Sequence, residues 1–305
     1  MSSELRYDGK VAIVTGSGGG LGRSHALLLA RRGAKVVVND LGGDMAGREA
    51  GGSARPADKV VEEIKAAGGE AVANYDSVLD GDKIVQTALD TWGKVDILIN
   101  NAGILRDITF HNMTEDDWDQ IYNVHVKGAF KITHAAWPHM REQEYGRVIF
   151  TASSAGIYGN FGQANYSMAK LAVFGFAQTL ALEGEKKNIR VNTIAPFAGS
   201  RMTETILDKQ MVEALNPAFV SPLVSYLCHE EVPVNGGLFE VGGGWMAQLR
   251  WERTKGALIP LSNGISLEDV KSNWSKIVDF TDTDHPKDVM GGFQIIGPNL
   301  QTLKG

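Results

Sequence analysis

A tyrosine and a lysine four residues apart, Tyr166 and Lys170, follow Ser153 by 13 residues. Side chains four apart on a helix share one face, so this phenol and this amine would stand together. Removing hydride from a secondary alcohol needs a base for the hydroxyl proton. A phenol titrates near ~10 in water, too high to be a good base at neutral pH. A neighbouring ammonium and the positive ring of an oxidised nicotinamide would favour the phenolate. Lys170 could also hydrogen-bond the nicotinamide ribose. Ser153 would hold the substrate oxygen and stabilise the charge that develops on it. An isolated Tyr-x-x-x-Lys is usually a solvated helix pair, so its weight here comes from its surroundings.

The second constellation is rich in glycine. Thr15-Gly16-Ser17-Gly18-Gly19-Gly20-Leu21-Gly22 follows an apolar run and opens a helical pattern. Such a turn needs backbone angles that side chains forbid, and it lets a pyrophosphate approach the amides at a positive helix terminus. Gly16, Ser17, Gly20, Leu21 and Gly22 are the expected binding positions. Asp40 ends the second apolar run, 18 residues after Gly22. An acid there accepts from both ribose hydroxyls and repels a 2′-phosphate, which favours NAD over NADP. No cation follows in Leu41-Gly42-Gly43, although Arg23 and Arg48 leave NADP open. Asp76, with Ser77, follows the third run and either meets the adenine or caps the next helix. Asn101, Ala102 and Gly103 follow the fourth, where small residues admit the cofactor and an Asn side chain locks the strand end.

These residues need a scaffold, and alternation in the sequence supplies one. Val11–Val14, Lys35–Asn39, Glu70–Ala73, Val95–Ile99, Arg147–Thr151, Arg190–Ile194 and Leu238–Val241 read as strands. Near-continuous apolar runs belong to strands buried on both faces, hence to a parallel sheet. Helical periodicity lies between them in Leu21–Arg32, Ala57–Ala67, Ile84–Thr91 and Thr114–Met140, and a further long helix is read at Gln163–Lys187. The pattern predicts an α/β doubly wound parallel sheet of the Rossmann type over residues 1–249. Residues 250–305 form a C-terminal extension with one predicted helix, Ser266–Val278. Leu41–Pro56 is a connection longer than the sheet requires.

Composition narrows the class. The 305 residues are 43% hydrophobic and 22% charged, with a net charge of −6. That balance fits a globular protein and argues against a nucleic-acid partner. No run is long and apolar enough for a membrane span. The lone cysteine, Cys228, reads as a buried inert thiol and suggests a reducing compartment. His111, His125, His134 and His139 lack partners at ligand spacing, so no metal is expected. The polar N-terminus lacks the apolar core expected of a signal peptide, and Leu303-Lys304-Gly305 does not read as a Ser-Lys-Leu type of address.

The Thr15–Gly22 turn, Asn100-Asn101-Ala102-Gly103, Ser153, Tyr166-Ser167-Met168-Ala169-Lys170 and Asn192-Thr193-Ile194-Ala195-Pro196 together resemble the short-chain dehydrogenase/reductase family over about residues 8–245. The resemblance implies a Ser-Tyr-Lys active site, a dinucleotide contact at Pro196, and pairing through the helices after the fourth and fifth strands. Two departures stand out. His125 occupies the position of the family's usual Asn, which supports a water chain to the catalytic Lys; a histidine there could still relay protons. Phe197 replaces the Gly that usually follows Pro196.

Val37–Gly43, Asn101–Asp107, Gly156–Tyr166, Gly199–Thr203 and Leu249–Thr254 resemble a narrower group within the family, the (3R)-hydroxyacyl-CoA dehydrogenase units of peroxisomal multifunctional enzymes. That resemblance implies NAD-dependent oxidation of a (3R)-3-hydroxyacyl-CoA to the 3-ketoacyl-CoA in fatty-acid β-oxidation. It implies a homodimer whose extension packs near the partner's active site, fusion to hydratase and sterol-carrier domains in a longer chain, and a peroxisomal location, with a cytoplasmic one still open. Another alcohol, such as a steroid, is the alternative substrate. Arg106, Arg201 and Arg250 are candidates for the CoA phosphates, although each reads more readily as an ordinary surface or ion-pairing residue.

Overall fold

The structure is a computed structural model that describes residues 4–43, 55–198, 209–262 and 264–304. Arg48, Arg201 and the Gly199–Thr203 segment lie outside the described residues. Strands β1 (Val11–Thr15), β2 (Lys35–Asn39), β3 (Glu70–Asn74), β4 (Ile97–Asn100), β5 (Gly146–Thr151), β6 (Ile189–Pro196) and β7 (Leu238–Gly242) pair in parallel. The order β3-β2-β1-β4-β5-β6-β7-β8 makes an eight-stranded sheet that ends on β8 (Trp245–Leu249). The chain runs outward from β1 to β3 and then returns to β4 on the other side of β1. Ligands of open α/β sheets bind at the carboxyl ends of strands where the order reverses like this.

Helices α1 (Gly20–Arg31), α2 (Pro56–Ala66), α3 (Gly81–Trp92), α4 (Glu115–Tyr122), α5 (Gly128–Glu142), α6 (Ser154–Tyr158), α7 (Ala164–Gly184), α8 (Lys209–Ala214) and α9 (Ser221–Cys228) fill the connections. Alternation along the strands divides the core between the two faces. Val14, Val38, Ile99 and Val241 meet Leu29, Ile64 and Val224 of α1, α2 and α9. Helices α3, α5 and α7 pack against the sheet opposite them. No helix among the described residues is long and apolar enough to cross a membrane.

Several readings of the sequence need correction. The predicted helix Thr114–Met140 is interrupted: α4 and α5 are joined by a π-helical turn, Asn123–Lys127. Its start is as expected, since Thr114 and Asp117 form a reciprocal capping box. Helices α6, α8 and α9 and strand β8 escaped notice. Strand β8 follows the left-handed Gly243 and Gly244, a two-residue connection that turns the chain back beside β7. Cys228, by contrast, is buried as expected, and burial pushes its thiol up.

Contact density divides the chain into two compact units, Met1–Gln248 and Leu249–Gly305. The second unit holds α10 (Leu267–Ile277), capped by Ser266 and Asp269, with α11 (Val289–Phe293) and α12 (Gly297–Leu300). Strands β9 (Arg253–Thr254) and β10 (Thr283–Asp284) pair in it, and Arg253 bonds Asp284 at 2.7 Å. Only α10 was foreseen. No described residue from 249 onward is fully buried.

Candidate active site

The glycine-rich turn and the segment after β4 are built into one another. Gly16 has φ +60, and a Cβ on it would lie 2.8 Å from the Ala102 Cα. Gly22 is equally confined, because a Cβ would come within 2.3 Å of the Gly16 carbonyl oxygen. Asn101 Nδ2 donates to the carbonyls of Thr15 and Gly16 at 2.9 and 3.1 Å. The Thr15 Oγ1 accepts the N–H groups of Asn101 and Ala102 at 3.0 Å. Asn101 thus locks the strand end, as its position suggested. Gly19 and Gly20 face open space, with nothing within 4 Å of a Cβ on either. Gly19 and Leu21 flank Gly20 at the start of α1, whose N-cap is Gly19 and carries no side-chain cap. A pyrophosphate fits that cradle: the first-turn amides lack side-chain partners and no Cβ obstructs them.

Ser17 stands apart from the other turn residues. Its N–H bonds the Asn39 carbonyl at 2.9 Å, its hydroxyl donates to the Val14 carbonyl at 2.7 Å, and it is fully buried. Its polar hydrogens are used to splice β1 to β2, which removes it as a phosphate donor. Asp40 accepts the N–H of Gly18 through Oδ2 and that of Gly42 through Oδ1, both at 2.8 Å. These bonds fix the carboxylate beside the turn. Arg23 is ion-paired with Glu63. Asp76 does not cap the following turn; Ser77 does, accepting from the Leu79 N–H at 3.3 Å. The Asp76 carboxylate instead accepts from Asn74 Nδ2 at 2.7 Å at the carboxyl edge of β3.

On the other side of β4, Ser153 ends β5's connection and caps α6, while Tyr166 and Lys170 lie on α7. The structure brings these residues together. A Ser153 hydrogen bond acts on the Tyr166 phenol and lowers it, but burial dominates and raises it, and the Asp107 charge adds to the rise. The Lys170 amine donates to the Thr151 carbonyl at 2.6 Å and lies 5.4 Å from the Tyr166 ring centre. Lys170 is 4% exposed, and burial pushes it down to about 7. The expected lowering of the phenol by a Lys170 ammonium is therefore absent in the protein alone, where desolvation governs both groups.

His125 lies in the π-helical turn, its ring edge-on to Tyr166 at 5.4 Å between centres. Its Nε2 is 2.8 Å from the Ile104 carbonyl oxygen and 3.1 Å from the Ile104 nitrogen. Burial and the Lys170 charge hold its pKa well below the usual histidine range. It is a neutral imidazole, and a relay that needs its imidazolium is unfavourable. Gly103 is a glycine because a Cβ would lie 2.5 Å from the His125 ring. A cavity of about 10 Å³ is lined by His125, Asn100, Thr151 and Lys170. His125 Nδ1, Asn100 Oδ1 and Thr151 Oγ1 are buried there without protein partners. The volume and polar lining suit a single water.

Pro196 ends β6, and the next N–H, of Phe197, bonds the Val241 carbonyl at 2.7 Å. Phe197 stands 6.4 Å from Trp245 between ring centres, an aromatic wall that pattern reading did not anticipate. Asn165 was also missed. It is fully buried, donates to the carbonyls of Arg106 and Asp117 at 3.2 and 3.0 Å, and so ties the start of α7 to the loop after β4 and to α4. Arg106 pairs with Asp116 at 2.7 Å, the ordinary role considered for it.

Comparison with known proteins agrees with this geometry. The short chain dehydrogenase family model matches residues 10–211. Peroxisomal multifunctional enzyme type 2 of Mus musculus is 58% identical over 290 residues, which is 95% of this chain but 39% of that protein. A putative short-chain type dehydrogenase/reductase of Mycobacterium tuberculosis is 49% identical over 89% of this chain and 95% of its own length. The structure of full-length peroxisomal multifunctional enzyme type 2 from Drosophila melanogaster superposes with a TM-score of 0.82 at 43% identity, covering 98% of this chain and 50% of that one. This chain thus spans well under two thirds of both multifunctional enzymes. Its family typically binds NAD or NADP. From residues, fold and relatives together, the chain belongs to the short chain dehydrogenase family.

Proposed function

We propose that the protein oxidises a (3R)-3-hydroxyacyl-CoA to the 3-ketoacyl-CoA with NAD⁺, as a step of fatty-acid β-oxidation. The observation that carries the reading is the convergence of Ser153, Tyr166 and Lys170 beside an open glycine cradle flanked by Asp40. The relatives named as peroxisomal multifunctional enzymes supply the substrate class and support a peroxisomal location. Asp40 favours NAD because its carboxylate is held in place by two backbone amides and would repel a 2′-phosphate. Arg23 is ion-paired with Glu63, which makes it less available to that phosphate.

Gly16, Gly20, Leu21 and Gly22 form the pyrophosphate turn. Asp76, Ser77, Asn101, Ala102, Gly103 and Pro196 line the rest of the dinucleotide cleft. A bound dinucleotide supplies the hydride acceptor and a positive charge. Ser153 donates its hydroxyl hydrogen to the substrate oxygen, and Tyr166 takes the substrate's hydroxyl proton. Lys170 orients the dinucleotide ribose and, once charged, favours the phenolate. The proton then leaves Tyr166 by way of Lys170 and the small polar cavity, with neutral His125 as an acceptor in its wall.

The exposed apolar side chains of α4, α5 and α7, among them Trp118, Tyr122, Phe130 and Leu182, support a homodimer through those helices. The extension carries Trp274, Phe280 and Phe293 exposed, and none of its described residues is fully buried, which supports its packing on the partner subunit. Hydratase and sterol-carrier domains would follow in a longer chain. The test is NADH formation from a medium-chain (3R)-3-hydroxyacyl-CoA, with Tyr166→Phe as control. Turnover should fall at least ~100-fold in the variant, the lower range of general-base contributions, while NADH binding persists. Unchanged turnover in Tyr166→Phe would refute the assignment.

A further inference from the structure

Ser153 is held by a very short helix. Its Oγ accepts the Ala155 N–H at 3.2 Å as the N-cap of α6, which ends at Tyr158. A helix of this length has no stability of its own, so contacts elsewhere must set its direction. One is Gly156, where a Cβ would lie 2.9 Å from the Leu171 nitrogen; α6 rests there on the backbone of α7 beside Lys170. The other lies at the far end of α6. The Tyr158 hydroxyl donates to Glu240 Oε2 at 2.9 Å, linking α6 to β7.

Neither partner of that bond is explained by the core. The Tyr158 ring is 66% exposed, so its burial does not hold the contact together. Glu240 is 7% exposed, and its Oε1 is buried with no hydrogen-bond partner. Burying a carboxylate with incomplete hydrogen bonding is costly, and an apolar residue would fill the position at less cost. Glu240 lies in register with Ala195, one residue before Pro196, on the strand next to β6. The carboxylate therefore stands at the ligand-binding end of the sheet.

We propose that Glu240 and Tyr158 are positioning residues, whose hydrogen bond holds α6 so that the Ser153 hydroxyl stays in register with Tyr166. The proposal rests on the assignment of Ser153 and Tyr166 as catalytic residues. Four groups face the Tyr166 phenol: Ser153 from the N-cap of α6, Lys170 from α7, His125 from the π-helical turn and Asp107 from the loop after β4. Cutting the tether acts first on Ser153, whose hydrogen bond to the phenol in the free enzyme favours the ionised form.

The test compares Tyr158→Phe, Glu240→Ala and Glu240→Gln with wild type and Ser153→Ala, measuring kcat, KM for each substrate, kcat/KM against pH, and unfolding temperature. Tyr158→Phe and Glu240→Ala should each lower kcat roughly tenfold, short of the ~100-fold that a 1 Å misplacement can bring. The rise of kcat/KM with pH, which reports the free enzyme, should move to higher pH, because a phenol without the Ser153 bond ionises later. KM for NAD⁺ should not change. Glu240→Gln, whose amide oxygen still accepts from Tyr158, should restore both kcat and the pH profile. The double variant should be no worse than either single one. Wild-type kcat in Tyr158→Phe, or a loss that follows unfolding temperature while the pH profile stays put, would overturn the tether. Undiminished kcat in Ser153→Ala would instead overturn the catalytic assignment beneath it.

Discussion

Gly19→Ala should separate binding from folding. Gly19 has an extended φ of −163, which alanine adopts without strain, and a Cβ there would meet nothing within 4 Å. Replacing glycine at an N-cap costs about 0.5–1 kcal/mol in lost capping preference. Restricting the unfolded chain offsets this by about 0.4–1 kcal/mol. The two nearly cancel, and stability should stay within roughly 0.5 kcal/mol of wild type, the usual range of neutral surface changes. The space the methyl fills is the space assigned to the pyrophosphate. A weakening of NADH binding by ~10- to 100-fold is expected, about 1.4–2.8 kcal/mol. Gly22→Ala provides the contrast. Its Cβ would lie 2.3 Å from the Gly16 oxygen and 2.6 Å from Asn101 Nδ2. Overpacking costs about 1–3 kcal/mol, so this variant should lose stability as well as affinity. Fluorescence titration with NADH and denaturant unfolding measure the two quantities. NADH affinity within twofold of wild type in Gly19→Ala would refute the placement of the cradle.

Two further outcomes follow from the site. Asp40→Ala should lower the preference for NAD⁺ over NADP⁺ by at least ~10-fold, about 1.4 kcal/mol, read from kcat/KM with each; an unchanged ratio would remove Asp40 from the ribose site. Lys170→Met should flatten the dependence of stability on pH. The buried amine is pushed from 10.5 down to about 7, so between those values it is neutral when folded and protonated when unfolded. The unfolded chain then binds more protons, and wild-type stability rises with pH across that window, by up to ~1.4 kcal/mol per pH unit. Urea unfolding at pH 7 and pH 9.5 should reveal the rise in wild type and its loss in Lys170→Met; equal slopes would place the amine's titration elsewhere.

The sheet was legible because strands buried on both faces leave unbroken apolar runs, and the glycine turn because its backbone needs are met by one residue type. Ser153, Tyr166 and Lys170 were legible through spacing. What escaped depends on tertiary contact. Ser17 looked like a phosphate donor because it sits among glycines, yet its hydroxyl turns inward to the Val14 carbonyl. Asn165 reads as a polar residue at a helix start, and nothing local reveals that it bonds two distant carbonyls. The break between α4 and α5 leaves the apolar periodicity intact, so the π-helical turn carrying His125 was invisible. The ionisation of Tyr166 was misjudged because proximity to Lys170 follows from spacing, whereas the burial of both groups does not.

The most direct test is a set of initial rates with (3R)- and (3S)-3-hydroxyacyl-CoA of one medium chain length, each with NAD⁺ and with NADP⁺. Rapid turnover of the 3R ester with NAD⁺, and little in the other three combinations, is the predicted result. Equal or absent turnover of both esters while the dinucleotide still binds would contradict the acyl-CoA assignment.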